Sequence, residues 1–172
     1  MNTYVWSKTI LSIYPYLSGI ADAIDKVVER RAINSFYVSS VDCGKNDTLS
    51  VVNKLIELAD RKIVLINLKV LVDKCLRSID RTMAKVLIAK YISRKKGKDG
   101  SLFLGIPERT YYRKVKEGEA AFGEELKKQG YDDKKLEEFL KGEEWIFEIK
   151  EGFEKEKEVL FNSNFIKKKV AI

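Results

Sequence analysis

Histidine is absent from this chain, and its absence excludes several kinds of chemistry. The usual general base, the most common zinc ligand and a charge switch near neutral pH are all histidine functions. The two cysteines, Cys43 and Cys75, stand far apart without a CxxC pairing, so they cannot fill a structural zinc site alone. We therefore expect no metal site and no cofactor. We interpret both cysteines as structural, with a disulfide, or a reactive thiol at Cys43, as the alternatives.

Proline is scarce as well, with two residues in a chain of 172, and this favours helices. Long hydrophobic runs are missing: the longest, Ile63–Val72, is interrupted by Asn67 and Lys69 and is too short to cross a membrane. The start of the chain does not resemble a signal peptide, because Asp22 and Asp25 follow soon after a tyrosine-rich opening. We expect a mostly helical, soluble, cytoplasmic protein with no membrane partner.

Paired carboxylates would be the remaining route to metal-assisted catalysis. Each acidic pair of this chain consists of neighbours in sequence, and neighbours diverge on a helix. We interpret these pairs as solvated faces and predict that the protein is not an enzyme. The pairs are Glu124-Glu125, Asp132-Asp133, Glu137-Glu138 and Glu143-Glu144.

The N-terminal half has the apolar spacing of two long helices. The first is expected over about residues 3–33, with a kink or a break near Pro15 and Gly19. The second is expected over about residues 48–76, after a polar loop at Ser39–Asp47. Within it, Ile63–Val72 is rich in β-branched residues, and a buried strand is the alternative there. This second helix is apolar around much of its circumference, so it forms either the centre of the core or the seam of a homodimer.

The segment Leu104–Lys116 has the pattern of a tight turn that leads into a helix. Gly105 can take the positive φ of a sharp turn, and Pro107 suits the first helical position, with Ile106 as the N-cap. The helix is expected to end near Gly123. Its apolar positions recur at offsets of four, seven and eleven residues. They are Tyr111, Val115, Gly118 and Phe122.

Positive charge is concentrated around this turn and helix. Residues 51–117 carry a net charge of +10, whereas residues 1–50 are neutral and residues 118–172 carry −3. A basic centre that coincides with a turn-helix pattern is typical of a nucleic-acid contact, although an ordinary amphipathic surface helix remains the alternative. The candidate DNA-binding residues are Arg94, Lys95, Lys96, Lys98, Arg109, Thr110, Tyr112, Arg113 and Lys116.

Residues Met83–Phe122 resemble region 4 of sigma-70 factors as it occurs in ArpU- and RinA-like phage transcriptional regulators. The resemblance lies in a helix ending Ile88–Ile92, a charged linker, and the block Leu104–Arg113. The two N-terminal helices also look like that family's N-terminal part. The resemblance implies bacterial or prophage origin, an all-helical fold and control of transcription through promoter DNA.

Two glycines set the chain apart from this family pattern. The family places a supporting helix before the turn, where this chain has Gly97 and Gly100 within the segment 97–103. Each glycine costs about 1 kcal/mol inside a helix. We therefore expect the supporting helix to be shortened to Ser101–Leu104 or to a 3₁₀ turn.

Together these patterns predict an all-α protein in three parts. Residues 1–77 form an N-terminal helical region with one long central helix, and residues 78–123 form a helix-turn-helix unit that begins with a helix capped by Ser78. Residues 124–172 form a helical, acidic C-terminal extension. The acidic segment Glu119–Glu158 is expected to temper the basic centre, by covering it or by competing with DNA.

The predicted function is regulation of transcription by binding double-stranded DNA, with the recognition helix in the major groove. Arg109 and Thr110 lie in the first turn, where recognition helices meet base edges, while Arg113, Lys116 and the cluster at 94–98 are expected to contact phosphates. The alternative is a non-catalytic interaction module with a degenerate helix-turn-helix, which holds RNA polymerase or another regulator.

Overall fold

A computed structural model describes residues 3–39 and 45–156 of the chain. The regular secondary structure of these residues is helical throughout, which confirms the all-α prediction. The α-helices are α1 (Thr3–Ser39), α2 (Lys45–Ser78), α3 (Arg81–Leu87), α4 (Gly97–Leu104), α5 (Glu108–Lys128), α6 (Asp133–Phe139) and α7 (144–156). In this part of the chain no helix has the length and apolar character that a membrane crossing requires.

Helices α1 and α2 pack antiparallel and form the frame of the fold. Two polar contacts show the antiparallel direction. Tyr14, near the start of α1, donates a hydrogen bond to Asp73, near the end of α2. Asp25, later in α1, has its Oδ1 2.6 Å from Nζ of Lys62, which lies earlier in α2. Apolar side chains that are almost fully withdrawn from water fill the space between the two helices. They include Trp6, Ile10, Leu17, Leu65, Leu68 and Val72.

Helix α1 is one continuous helix through Pro15 and Gly19, so the expected break is wrong. Leu11 and Leu17 on either side of the proline are each at most 2% exposed, and packing of this face holds the helix together where local propensity alone would end it. Helix α1 extends to Ser39 and α2 begins at Lys45. The expected loop at 39–47 is therefore too long at both ends, and its centre, residues 40–44, lies outside the described residues.

The third helix starts later than its sequence indicates. Asp80, rather than Ser78, is the N-cap, because its carboxylate accepts hydrogen bonds from the backbone N–H groups of Thr82 and Met83 at 2.8 and 3.2 Å. Ser78 is instead the last residue of α2. Helix α3 continues directly into a π-helical turn over Ile88–Ile92, a local widening that often accompanies a functional or packing constraint.

The acidic C-terminal segment, as far as it is described, contributes apolar side chains to the main core. Leu136, Leu140 and Ile146 have no exposed surface and belong to the same cluster as the α1–α2 core. Phe147 of α7 also meets Trp6 of α1 edge-on, with ring centroids 5.8 Å apart. Helices α6 and α7 therefore close the core from outside the α1–α2 pair.

Two acids predicted to be solvated are buried. Glu143 is 2% exposed and forms a bidentate pair with Arg61, at 2.8 Å to Nε and 3.0 Å to Nη2. The same carboxylate accepts a hydrogen bond from Trp145 Nε1 at 2.7 Å. Glu125 is 8% exposed and binds Gln129. The prediction of solvated pairs is wrong at these positions because partners from other turns and helices satisfy the carboxylates.

Glu119 joins three elements inside the fold. Its side chain is fully buried, and Oε1 lies 2.6 Å from Lys90 Nζ and accepts a hydrogen bond from Tyr91 of the π turn. Tyr4 of α1 lies close enough to this carboxylate for Glu119, after burial, to help raise the pKa of the Tyr4 hydroxyl. Because Glu119, Glu125 and Glu143 are all engaged in this way, none of these three carboxylates is available to cover the basic centre.

Stability should fall at alkaline pH because of the buried phenols. Burial, followed by hydrogen bonding to Asp73, raises the pKa of Tyr14 to about 12, and burial beside Glu119 raises the pKa of Tyr4 and Tyr91 further. Each raised pKa adds to the free energy of unfolding. This contribution is fully present below about pH 10, the pKa of tyrosine in the unfolded chain, and it is lost as the pH rises through the pKa of the folded state.

We expect the denaturant midpoint to decrease from about pH 10 upward, because the phenols of the unfolded chain ionise there while the buried phenols of the folded protein stay protonated. Tyr91→Phe removes one titrating phenol and should make the decrease shallower. A midpoint that stays constant through this range would contradict the assignment.

Candidate nucleic-acid interface

Helix α5 has the two faces that its sequence predicts. Tyr111, Val115 and Phe122 are 1%, 3% and 0% exposed, which confirms the apolar stripe. Arg109 and Arg113 are exposed, as predicted. The helical phase on which the candidate residues depend is therefore correct.

The turn before α5 is tight and depends on glycine. Gly105 has a φ of 64°, and its own N–H bonds back to the carbonyl of Leu102, while Ile106 N–H bonds to Ser101 O at 3.0 Å. Pro107, rather than Ile106, is the N-cap, so α5 begins one residue later than expected. The helix also runs past Gly123 to Lys128.

Helix α4 is eight residues long, so the expected shortening is wrong. Its two glycines lie where α5 comes closest. A Cβ added to Gly100 would lie 2.5 Å from Tyr111 Cζ, and one added to Gly97 would lie 2.5 Å from Tyr112 Oη. The helix-propensity cost of glycine is offset by this close packing, which a larger residue would prevent.

The basic loop between the π turn and α4 is anchored on both sides. Lys95 N–H donates to Ala89 O at 2.8 Å, and Lys95 O accepts a hydrogen bond from Tyr111 Oη at 2.7 Å. Arg94 has a φ of 52°, unusual for a residue with a side chain, and its guanidinium lies 4.9 Å from the centre of the Tyr16 ring. The loop is thus held in one conformation, with its charges close to the start of α5.

The nine candidate residues fall into two neighbouring groups. The loop group lies before and at the start of α4, where Lys95 is half-buried and the others are exposed: Arg94, Lys95, Lys96 and Lys98. The helix group lines an open depression of about 490 Å³ on α5: Arg109, Thr110, Tyr112, Arg113 and Lys116. The ring of Tyr112, packed against Gly97, joins the two groups.

The charges of the helix group are largely free to bind a ligand. Arg113 has an ion pair with Glu117 at 3.6 Å, but its side chain is 67% exposed, and such surface pairs contribute little. Glu117 also pairs with Lys114 at 2.9 Å. Within the described residues, Arg109 and Lys116 have no carboxylate partner. The surface can therefore bind a polyanion through guanidinium and ammonium donors.

The described part of the chain contains no cluster of acidic and cysteine side chains with the geometry of a metal site. Cys75 is fully buried in the α1–α2 core, and burial raises the pKa of its thiol to about 11. Cys75 therefore packs as a small apolar residue, in line with its structural interpretation. Cys43 lies outside the described residues.

Three residues at this surface escaped the sequence analysis. Tyr16 receives the guanidinium of Arg94 although it belongs to α1, and no local pattern could connect residues so far apart. Phe103 is 60% exposed, and Nζ of Lys95 lies over its ring, 4.9 Å from the ring centre. Tyr111 was predicted only as core, whereas its hydroxyl also fixes the backbone of the basic loop.

Comparison with known proteins gives no match: no protein family, no curated protein and no solved structure matches this chain. The resemblance of Met83–Phe122 to a family of phage regulators therefore stays a prediction from the sequence. Function has to be inferred from the geometry of α4 and α5 and from the charge around them.

Proposed function

We propose that the protein binds duplex DNA through the exposed face of α5 and regulates transcription, as phage and prophage regulators do. The observation that carries this proposal is the depression lined by Arg109, Arg113 and Lys116, whose charged ends face solvent beside an anchored basic loop. An α-helix is about 10–12 Å across with its side chains, and the major groove is about 12 Å wide, so α5 fits the groove along this face.

The position of each residue along α5 suggests its role. Arg109 and Thr110 lie in the first turn, where a recognition helix meets base edges, and Arg109 can donate two hydrogen bonds to one guanine. Arg113 and Lys116 lie one and two turns later, at the distance where phosphates flank the groove. These later contacts, together with the loop at 94–98, would fix affinity and orientation but not sequence.

Helices α4 and α5 are interpreted as a helix-turn-helix. The interpretation is supported by the eight-residue length of α4, the left-handed Gly105 between the helices and the close packing of Gly100 on Tyr111. Helix α3 packs on the same side, through Val86 in the cluster with Tyr111 and Val115. The two helices are thus held rigidly, as insertion into a groove requires.

Fluorescence anisotropy on labelled duplexes, measured over a salt series, tests the proposal. The wild type should bind at low salt, with log Kd rising linearly with log salt concentration. Arg113→Ala should reduce that slope by about one unit for every sequence. Arg109→Ala should cost about 1–3 kcal/mol on a preferred site, obtained by selection from random duplexes, and little on random DNA.

Lys128→Ala is the matched control, because Lys128 ends the same helix and its side chain is 73% exposed, close to the 67% of Arg113. It should leave both affinity and slope unchanged. Absence of binding to any duplex at low salt would overturn the proposal, since even non-specific contacts persist there.

A second candidate function rests on α4 itself. Leu102 and Phe103, consecutive residues of α4, are 75% and 60% exposed, and Phe103 lies beside the basic loop at Lys95. Exposed apolar pairs of this kind are common in protein contacts. If α5 fails to bind DNA, these residues favour an interaction module that holds RNA polymerase or another regulator. Binding to purified polymerase that is lost in Phe103→Ser would identify this function.

A further inference from the structure

Helix α2 carries a second apolar face, directed away from the core. Six large side chains on this face are between 41% and 68% exposed. They are Leu49, Val52, Ile56, Ile63, Ile66 and Val70. With Ala59, which is also exposed, they alternate at spacings of three and four residues without a break. This is the a and d pattern of three consecutive heptads, the repeat of a coiled-coil seam.

The core does not account for this stripe. The residues of α2 that pack on α1 and on the C-terminal helices, such as Leu65, Leu68 and Val72, lie on other positions of the heptad and are fully buried. A helix that had to cover only one core would carry polar residues on its outer face. Instead α2 is apolar on both faces, and its outer stripe extends about 33 Å at 1.5 Å per residue.

We propose that a second copy of this chain covers the outer stripe of α2, so that the protein is a homodimer joined by a two-stranded coiled coil. The uninterrupted heptad spacing specifies the partner, since a seam of this repeat is matched by another helix with the same repeat. At roughly 100 Å² for each exposed side chain, two copies would bury about 1,200 Å², which reaches the size of specific protein interfaces.

The charges beside the stripe favour a parallel pairing. Asp60 and Lys62 occupy the e and g positions that flank the stripe. In the antiparallel pairing that covers residues 52–70, e positions face e positions and g positions face g positions. Asp60 of one copy then faces Asp60 of the other, and Lys62 faces Lys62, so like charges meet at the centre. In the parallel pairing, Asp60 faces Leu55 and Lys62 faces Asn67. This charge pattern favours two strands in parallel.

This dimer does not depend on DNA binding, but it has a consequence for the position of α5. In a parallel dimer the C-terminal ends of the two α2 helices lie side by side. Each α2 leads through α3 and α4 into α5, so both copies of α5 lie at the same end of the assembly. A two-fold axis along the coiled coil would relate them.

Light scattering coupled to size-exclusion chromatography tests the dimer, on the full-length chain and over a dilution series that spans micromolar Kd values. We expect a mass of twice 19.8 kDa for the wild type and a single-chain mass for Ile63→Glu. Glutamate is at least as good a helix former as isoleucine, so circular dichroism should show the fold retained. Ile33→Glu is the matched control, because Ile33 of α1 has the same 55% exposure as Ile63, and it should remain dimeric.

A disulfide cross-link tests the parallel orientation. In a Cys43→Ser background, Ile63→Cys should form an inter-chain bond under mild oxidation, because equal a positions meet only in the parallel pairing. A wild type that is monomeric at every concentration, or a dimer that persists unchanged in Ile63→Glu, would overturn the proposal. The proposal would also be wrong if the full-length chain were a monomer and only the chain without residues 157–172 formed a dimer. In that case the chain's own C-terminal end would cover the stripe.

Discussion

Replacing Val115 with aspartate should unfold the protein at temperatures where the wild type is folded. Val115 is 3% exposed and packs between α3 and the turn, against Val86, Tyr111 and Ile106. The residues of this cluster are apolar or aromatic, so they offer the new carboxylate no compensating charge when it is withdrawn from water. Such a charge costs several kcal/mol, a large part of the roughly 5–15 kcal/mol that stabilises a domain.

Arg113→Ala provides the comparison on the same helix. The Arg113 side chain is 67% exposed and its one ion pair lies at the surface, so its loss should change the free energy of unfolding by no more than about 0.5 kcal/mol. Thermal melts followed by circular dichroism would measure both variants. If Arg113→Ala destabilised the protein more than Val115→Asp, the assignment of the inner and outer faces of α5 would be wrong.

Alanine at Gly100 should destabilise the protein, although alanine is the better helix former. The added methyl would lie 2.5 to 2.7 Å from three atoms of the Tyr111 side chain (two of the ring and the hydroxyl oxygen), and that side chain is held in place by the hydrogen bond from its hydroxyl to Lys95 O. Either α4 or the tyrosine has to move. Overpacking of this kind typically costs about 1–3 kcal/mol, more than the helix propensity gained.

Gly152→Ala is the matched variant with the opposite expected sign. Gly152 also lies within a helix, but no atom lies within 4 Å of an added Cβ. Alanine there should therefore stabilise the protein by about 0.5–1 kcal/mol. Urea denaturation of both variants would show the contrast, and equal effects at the two sites would contradict the close contact between α4 and α5.

The sequence predicts those parts of the fold that depend on local periodicity. The stripe of Tyr111, Val115 and Phe122 places the core face of α5 correctly, because residues three or four apart on a helix share a face whatever packs against them. The helical character of α2 follows in the same way, although its β-branched residues also suit a strand.

What the sequence does not predict depends on distant partners. Gly97 and Gly100 suggest a broken helix until Tyr111 and Tyr112 are placed against them. An acid such as Glu143 has the local pattern of a solvated residue, and only the fold brings Arg61 next to it. Periodicity describes one helix at a time, so long-range pairs of this kind escape it.

The edge-on contact between Trp6 and Phe147 has a consequence for how the protein is made. These residues are separated by almost the whole described chain, and Ile146 of α7 belongs to the same core cluster as α1. A chain leaving the ribosome can pair α1 with α2, but the part of α1 around Trp6 therefore stays uncovered until residues near 150 have emerged. Folding should be a late event in synthesis, and fragments that stop before α7 should be bound by chaperones or aggregate.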